Sequence, residues 1–141
     1  VASMQSTKKC LALVIPLLAL AGCAALDQVA KDVQKATAPV MLTESLPQIC
    51  QAAKDNQVRA NGLYANKGLA VSGEVRSVTE GFQPRYRVFL RSGQVSVHAG
   101  TDNKLNVTQL STGKTARVSG VVSDVSYDYN GCSISLKDAT F

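Results

Sequence analysis

The sequence predicts a mainly β (α+β) domain, in which one helix precedes five strands that close into a small barrel. Apolar residues fall at helical spacing from 46 to about 64, and they alternate with polar residues in short runs after 69. A short apolar run near the start of the 141-residue chain ends in Cys23. This length suits one domain with a leader, so we expect a signal peptide and a short tether before the domain.

The leader has the layout of a secretion signal. Lys8 and Lys9 precede an apolar stretch over 10–21, which is too short to span a bilayer, and Leu20-Ala21-Gly22-Cys23 follows. These four residues resemble the lipobox of bacterial lipoproteins. The resemblance implies cleavage before Cys23 and its acylation with fatty acids such as palmitate. The alternative interpretation is a buried Cys23 thiol that follows a core helix.

The lipobox divides the chain into a signal peptide over 1–22, an acylated N-terminus and tether over 23–44, and a domain over 45–141. Several acyl chains together anchor a protein stably, so the resemblance implies attachment to a membrane. Ala24 follows the cysteine, where an Asp would mark inner-membrane retention. By likeness to lipoprotein sorting, we expect the outer membrane of the cell envelope, with the domain facing the periplasm.

The predicted helix begins at Ser45. Gln48 lies three residues later, so the pair matches a capping box, and Pro47 is tolerated in a first helical turn. One face of the segment from 46 to about 64 is then apolar. We therefore expect a single amphipathic helix that packs on the sheet.

Turn residues divide the remaining chain into strands. Gly73 and Gly120 lie within predicted strands, where a glycine indicates a bulge or sharp bend, and 102–111 interrupts the pattern as a short helix or irregular crossing. Five strands with bends in the first and fourth describe an OB-fold barrel. The predicted strands are 69–78, 85–91, 94–98, 115–125 and 132–136.

Several short motifs resemble the tRNA-anticodon-binding-like OB-fold family over about 45–141. They are Val71-Ser72-Gly73-Glu74-Val75, the run from Leu110 through Gly113 to Val118-x-Gly120-x-Val122, and Gly131-Cys132-Ser133-Ile134-Ser135-Leu136. The family's third strand commonly carries a further cysteine, which 94–98 lacks. The family name implies nucleic acid, although many members are secreted or lipid-anchored proteins of unknown function.

Two cysteines are left once Cys10 departs with the signal and Cys23 is acylated. They are Cys50 and Cys132. An even pair in an oxidising compartment favours a disulfide between the helix and the last strand. The alternative is two buried, unpaired thiols.

Basic residues gather in the first two strands, at Arg76, Arg85, Arg87 and Arg91. They could bind an anionic ligand beside the usual OB-fold groove, or form a solvated face that discourages edge pairing. Removal of the two signal lysines from 15 Lys+Arg leaves 13 against 10 Asp+Glu, a net charge near +3. This weak charge, with no Trp in the chain, argues against nucleic acid as the partner.

Catalytic and metal-binding motifs are not found in the sequence. His98 is the single histidine and lies in no nucleophile or metal pattern, while Phe82, Tyr127 and Tyr129 lie in predicted loops that could contact a ligand or cover the barrel mouth. We therefore expect no enzyme activity, no cofactor and no metal. The predicted function is a membrane-anchored, non-enzymatic lipoprotein whose barrel binds an envelope protein partner. The alternative is an oligonucleotide- or polyanion-binding module.

Overall fold

A computed structural model describes residues 38–141 of the chain. The predicted signal peptide, the lipobox with Cys23 and most of the tether fall within 1–37, which lies outside the described residues. The described part from Pro39 to Phe141 forms one compact unit. None of the helices in residues 38–141 combines the length and apolarity needed to cross a membrane.

The architecture is a closed five-stranded barrel in the order β1-β2-β3-β5-β4, which confirms the predicted fold class. All strand pairs are antiparallel except β3 with β5, which run parallel from Ser96 to Ala99 on β3. The elements in chain order are α1 Leu46–Asp55, α2 Gln57–Tyr64, β1 Gly68–Glu80, β2 Tyr86–Ser92, β3 Val95–Thr101, a 3-10 turn Lys104–Asn106, β4 Thr115–Asp128 and β5 Gly131–Thr140.

The helical segment differs from the prediction because it consists of two helices rather than one. Asn56 adopts an extended backbone, with φ −164° and ψ 99°, and its side chain accepts a hydrogen bond from the Arg59 amide at 2.9 Å. Asparagine competes in this way with the helical backbone and favours caps. The predicted capping box at Ser45 is present, with the Ser45 amide donating to Gln48 Oε1 at 2.8 Å.

The strand irregularities lie at one predicted glycine and not at the other. The pairing of β4 with β5 shifts register at Gly120, as expected. In β1 the shift comes between Val75 and Ser77, not at Gly73. Gly73 instead permits close strand contact, because a Cβ there would lie 2.9 Å from the Arg91 carbonyl oxygen.

The core fills the barrel with inward-facing strand residues and the apolar faces of both helices. Val75, Val88 and Val97 are fully buried, as is Ile49 of α1. A disulfide joins Cys50 of α1 to Cys132 of β5, with 5.6 Å between the Cα atoms. The structure therefore has the bridged arrangement of these cysteines rather than two free thiols.

The edge of β4 beyond Val121 is covered by α2 and the turn that follows it. The Asn61 side chain accepts a hydrogen bond from the Val125 amide at 2.8 Å and donates one to the Val125 carbonyl at 3.0 Å. The backbone of Asn66 and Lys67 bonds both polar groups of Val122 at 2.8 Å. A side-chain amide thus supplies the pairing that a neighbouring strand would otherwise provide.

The chain enters the barrel unit through a short parallel bridge between Met41 and Gly68. The Gly68 amide donates to the Val40 carbonyl, and the Leu42 amide donates to the Gly68 carbonyl, both at 2.8 Å. We call this contact the N-terminal bridge. It places the incoming chain beside the end of α2 and the start of β1.

Candidate functional site: an outer groove on the barrel

Strand alternation sets which side chains face away from the core on β2, β3 and β5. Val88, Leu90 and Val97 point inward and are buried, so their neighbours point outward. The register places Phe89 opposite His98, and His98 beside Ser135 of β5. Three adjacent strands therefore bring an aromatic ring, an imidazole and a hydroxyl to one place on the outer surface.

These residues line a cavity of about 480 Å³ on the outside of the barrel. We call it the outer groove. The β1–β2 loop contributes one wall through Gln83 and Pro84. Charged side chains from three parts of the chain complete the lining: Arg87, Asp102, Lys137 and Asp138.

The floor of the outer groove is an edge-to-face pair of rings. The ring centroids of Phe89 and His98 lie 4.6 Å apart, with an interplanar angle of 63°. Burial lowers the pKa of His98 below its ordinary value, so the imidazole is mainly neutral at pH 7. The floor consequently presents a flat, weakly polar surface on which a planar or apolar ligand group can pack.

The two cations of the outer groove are held by neighbouring polar groups. The Arg87 guanidinium donates from Nη2 to the Gln83 carbonyl at 2.9 Å. The Lys137 ammonium donates from Nζ to Asn66 Oδ1 at 3.2 Å. Both partners are uncharged, and neither cation forms a salt bridge within residues 38–141.

Two carboxylates lie in the same lining. Asp102 Oδ1 accepts a hydrogen bond from the Arg85 backbone amide at 2.8 Å, which ties the β1–β2 loop to the end of β3. Asp138 follows Lys137 on β5 with a positive φ of 53°. Two cations and two carboxylates with a neutral imidazole give the groove no large excess of either charge.

The structure separates the four arginines that the sequence placed together. Arg87 lines the outer groove, whereas Arg76 pairs with Glu74 at 3.4 Å and Arg85 pairs with Glu80 at 3.2 Å. The hydrogen bond to Glu80 raises the pKa of Arg85 above its ordinary value. Neither of these ion-paired arginines lines the groove.

Arg91 belongs to a second cavity of about 580 Å³ between α1 and the β2–β3 hairpin. Its guanidinium donates from Nη1 to Ser96 Oγ at 3.0 Å and from Nε to the Gly93 carbonyl at 3.2 Å. Tyr127 also lines this cavity, with the Lys54 ammonium 5.6 Å from its ring centroid. Arg91 is therefore held in place at the hairpin end, away from the Phe89–His98 floor.

The other aromatic residues of the predicted loops do not line either cavity. Phe82 and Tyr129 are almost fully exposed. Sequence reasoning missed Phe89 and Lys137 as site residues and gave His98 little weight. Phe89 faces outward because it alternates with the buried Val88 and Leu90, but only the parallel pairing of β3 with β5 brings Lys137 to the same groove.

The arrangement of the outer groove suits binding through contact, charge and hydrogen bonds. Within residues 38–141, no three His, Cys, Asp or Glu side chains come together in a group that could hold a metal ion. The Ser135 and Ser123 hydroxyls add hydrogen-bonding capacity to the lining. Ser123 Oγ already donates to the Ser135 carbonyl at 3.2 Å.

No protein-family model and no curated protein sequence matches the chain. Among solved structures, it is similar to a putative nucleic acid-binding lipoprotein from Klebsiella pneumoniae, with a TM-score of 0.53 and 23% identity over 81% of this chain and 94% of that one. No family model supports the tRNA-anticodon-binding family in particular. The likeness establishes a shared barrel fold, and the ligand has to be argued from the groove.

Proposed function

We propose that this protein is a lipid-anchored, non-enzymatic binding module of the bacterial cell envelope, and that its outer groove holds a segment of an envelope protein partner. The observation that carries the proposal is the balanced charge around an aromatic floor. Arg87 and Lys137 line a cavity of about 480 Å³ together with Asp102 and Asp138. A peptide segment with acidic, basic and apolar side chains complements such a lining, whereas a lining with as many carboxylates as cations has no excess positive charge to attract a polyanion.

The anchor follows from the lipobox residues Leu20-Ala21-Gly22-Cys23. The description of the Klebsiella pneumoniae neighbour as a lipoprotein supports the same assignment. Ala24 after the acylated cysteine favours the outer membrane, with the barrel in the periplasm. Metabolic labelling with an alkyne fatty acid is expected to mark the wild-type protein and not Cys23→Ser. Label that persists on Cys23→Ser would contradict the anchor.

The partner site can be tested by site-specific photo-crosslinking in intact envelopes. We expect a benzophenone residue in place of Ser135 to form a discrete protein adduct, because Ser135 lines the outer groove. The matched control carries the benzophenone residue in place of Ser72, which is exposed on β1. Arg87→Glu should abolish the adduct at 135, since it reverses a charge that the partner contacts.

Equal adducts at 135 and 72, or an adduct at 135 that survives Arg87→Glu, would contradict a partner in the outer groove. Arg76→Glu serves as the charge control. It also reverses one arginine on the barrel surface, but its guanidinium pairs with Glu74 outside the groove. Adduct formation should therefore be unchanged in Arg76→Glu.

A second candidate ligand is a short single-stranded oligonucleotide. The Phe89–His98 pair offers a surface on which a base can stack, and base–aromatic stacking contributes about 1–3 kcal/mol per base. Arg87 lies two residues along β2 from Phe89 on the same face, within reach of a flanking phosphate. The neighbour's description as nucleic acid-binding favours the same candidate.

Fluorescence anisotropy with labelled single-stranded DNA distinguishes the two candidates. If the ligand is nucleic acid, the logarithm of the binding constant should fall linearly with the logarithm of the salt concentration. Binding should also be lost in Phe89→Ala. A flat titration at low salt, together with the Ser135 adduct, would favour the protein partner. Salt-sensitive binding without any protein adduct would favour the oligonucleotide.

A further inference from the structure

We propose that the face of the barrel unit formed by α2 and the N-terminal bridge lies against the surface of the phospholipid membrane that holds the anchor. We call it the anchor-side face and define it by Val40, Met41, Val58 and Leu63, with Arg59 and Lys67. The proposal rests on the lipid anchor proposed above. It assigns a binding surface that is distinct from the outer groove.

The N-terminal bridge fixes where the chain from the lipid reaches the barrel. Val40 and Leu42 bond to Gly68 on either side of Met41. Gly68 is buried and allows this approach, because a Cβ there would collide with the Met41 sulfur. The Lys67 amide donates to the Tyr64 carbonyl at 3.2 Å, so the last turn of α2 lies next to the entry point.

Apolar side chains are exposed at this entry point and along the outer side of α2. Val58 of α2 is 85% exposed and Val40 is 73% exposed, while Met41 and Leu63 are each about half exposed, at 49% and 48%. The opposite side of α2 already packs on the barrel through Ala60 and Tyr64. The helix therefore carries apolar residues on both sides, and its outer side has no covering among the described residues.

The charge of the anchor-side face is positive. Arg59 is exposed on α2 and Lys67 follows in the turn to β1, while the acidic residues nearest in sequence, Glu44 and Asp55, lie just outside residues 38–43 and 57–68. Within residues 38–141, the two salt bridges involve other arginines. Apolar side chains flanked by cations are the composition of segments that lie in a membrane interface and contact anionic lipids.

The tether makes even a weak contact effective. The segment 24–37 joins Cys23 to the described residues, and fully extended it spans no more than about 50 Å. A surface held this close to the bilayer has a high effective concentration, so a small intrinsic affinity is sufficient for contact. The face next to the chain entry is the one that reaches the bilayer with the least extension of the tether.

The absence of tryptophan from the sequence allows a direct test, since one introduced tryptophan is a unique fluorophore. The full lipidated protein is reconstituted into vesicles of phosphatidylethanolamine and phosphatidylglycerol that contain brominated acyl chains. Leu63→Trp and Val58→Trp report on the anchor-side face. Phe82→Trp, at an exposed loop between β1 and β2, is the matched control.

We expect bromine quenching several-fold greater for Leu63→Trp and Val58→Trp than for Phe82→Trp. Quenching should fall when phosphatidylglycerol is replaced by phosphatidylcholine, and also when Arg59→Glu and Lys67→Glu are added to Val58→Trp. Equal quenching at all three positions, or stronger quenching at Phe82→Trp, would overturn the proposal.

Vesicle flotation separates this outcome from a failure of the anchor. Protein that floats with the vesicles but shows no quenching at Leu63→Trp is anchored with another face toward the lipid, which refutes the proposed orientation alone. Protein that carries Cys23 but does not float would refute the anchor and with it the orientation. Cys23→Ser is expected not to float and serves as the control.

Discussion

The two sides of the barrel are closed by different means. On the side of β1, β2 and β3, continuous backbone pairing joins neighbouring strands, for example from Tyr86 to Ser92 along β2 with β3. On the other side, β4 beyond Val121 still pairs with β5, but its opposite edge has no strand and is covered by α2. The strand-paired side therefore depends on backbone register, whereas the helix-covered side depends on particular side chains.

The two sides also carry different features of the molecule. The strand-paired side carries the floor of the outer groove, where Phe89 and His98 are held by backbone register. The helix-covered side carries the N-terminal bridge and the disulfide to Cys132. Substitutions that remove a single side chain should therefore weaken the helix-covered side more than the groove.

Loss of the disulfide should have the largest effect. The two cysteines are 82 positions apart. The chain-entropy model gives up to about 4.5 kcal/mol for a loop of this length, and typical bridges contribute about 2–4 kcal/mol. We expect Cys50→Ala with Cys132→Ala to lower the free energy of unfolding by an amount in this range, measured by urea denaturation. Reductant should reproduce the loss in wild-type protein and have no effect on the double variant. Equal stability of wild-type protein with and without reductant would contradict the prediction.

Asn61→Ala should have the next largest effect. It removes both hydrogen bonds to the Val125 backbone, and unsatisfied buried polar groups cost about 1–3 kcal/mol. Hydrogen exchange of the Val125 amide should become faster, which localises the loss to the β4 edge. Gln57→Ala, at an exposed position of the same helix, is the control and should change stability by less than about 0.5 kcal/mol. Unchanged protection of the Val125 amide would show that Asn61 does not cover the edge.

Two glycine-to-alanine substitutions with opposite expected effects on stability compare the two sides directly. A Cβ at Gly73 would press on the Arg91 carbonyl at 2.9 Å, so Gly73→Ala should destabilise the strand-paired side by about 1–3 kcal/mol. Gly62 in α2 has open space around the same position, and Gly62→Ala should stabilise by about 0.5–1 kcal/mol. Urea midpoints that move in the same direction for both variants would contradict this contrast.

The smallest expected effect is the pH dependence of His98. Burial lowers its pKa in the folded protein below the ordinary value of 6.5, so the unfolded chain takes up a proton first as the pH falls. The contribution of His98 to stability is therefore complete above this value and is lost as the pH falls toward the lowered pKa. His98→Gln should flatten the difference between urea midpoints measured at about pH 7 and about pH 5. A wild-type difference that persists fully in the variant would contradict the assignment to His98.

Much of the barrel could be predicted from local patterns. Alternation identified five strands, and the inward positions of β2 at Tyr86, Val88 and Leu90 are all buried. The single predicted helix was wrong because periodicity continues through Asn56, while its capping geometry interrupts the backbone. The role of Gly73 in close strand contact depends on the approach of β2, which spacing along one strand cannot reveal.

The candidate site was harder to predict from the sequence than the barrel. Arginine clustering along the chain selected Arg76 and Arg85, but Arg76 pairs with Glu74 on the same strand and Arg85 pairs with Glu80 across the β1–β2 loop. Neither arginine lines the outer groove. The local pairing of β2 with β3 brings Phe89 and His98 together, but the groove residues of β5 are distant in sequence and join them through the pairing of β3 with β5. The pairing order of strands is a property of the closed barrel, and no local pattern contains it.

The disulfide also has a mechanical consequence for a protein held by its N-terminus. If the proposed lipid anchor and the proposed partner are both engaged, a pulling force between them would first break the two hydrogen bonds of the N-terminal bridge and then unwind the start of α1. At Cys50 the force passes through the covalent bond into β5 at Cys132. Beyond Cys50 the load is therefore shared between the chain that continues into α2 and the chain of β5, so the chain can peel away from the barrel as a single strand only as far as residue 50.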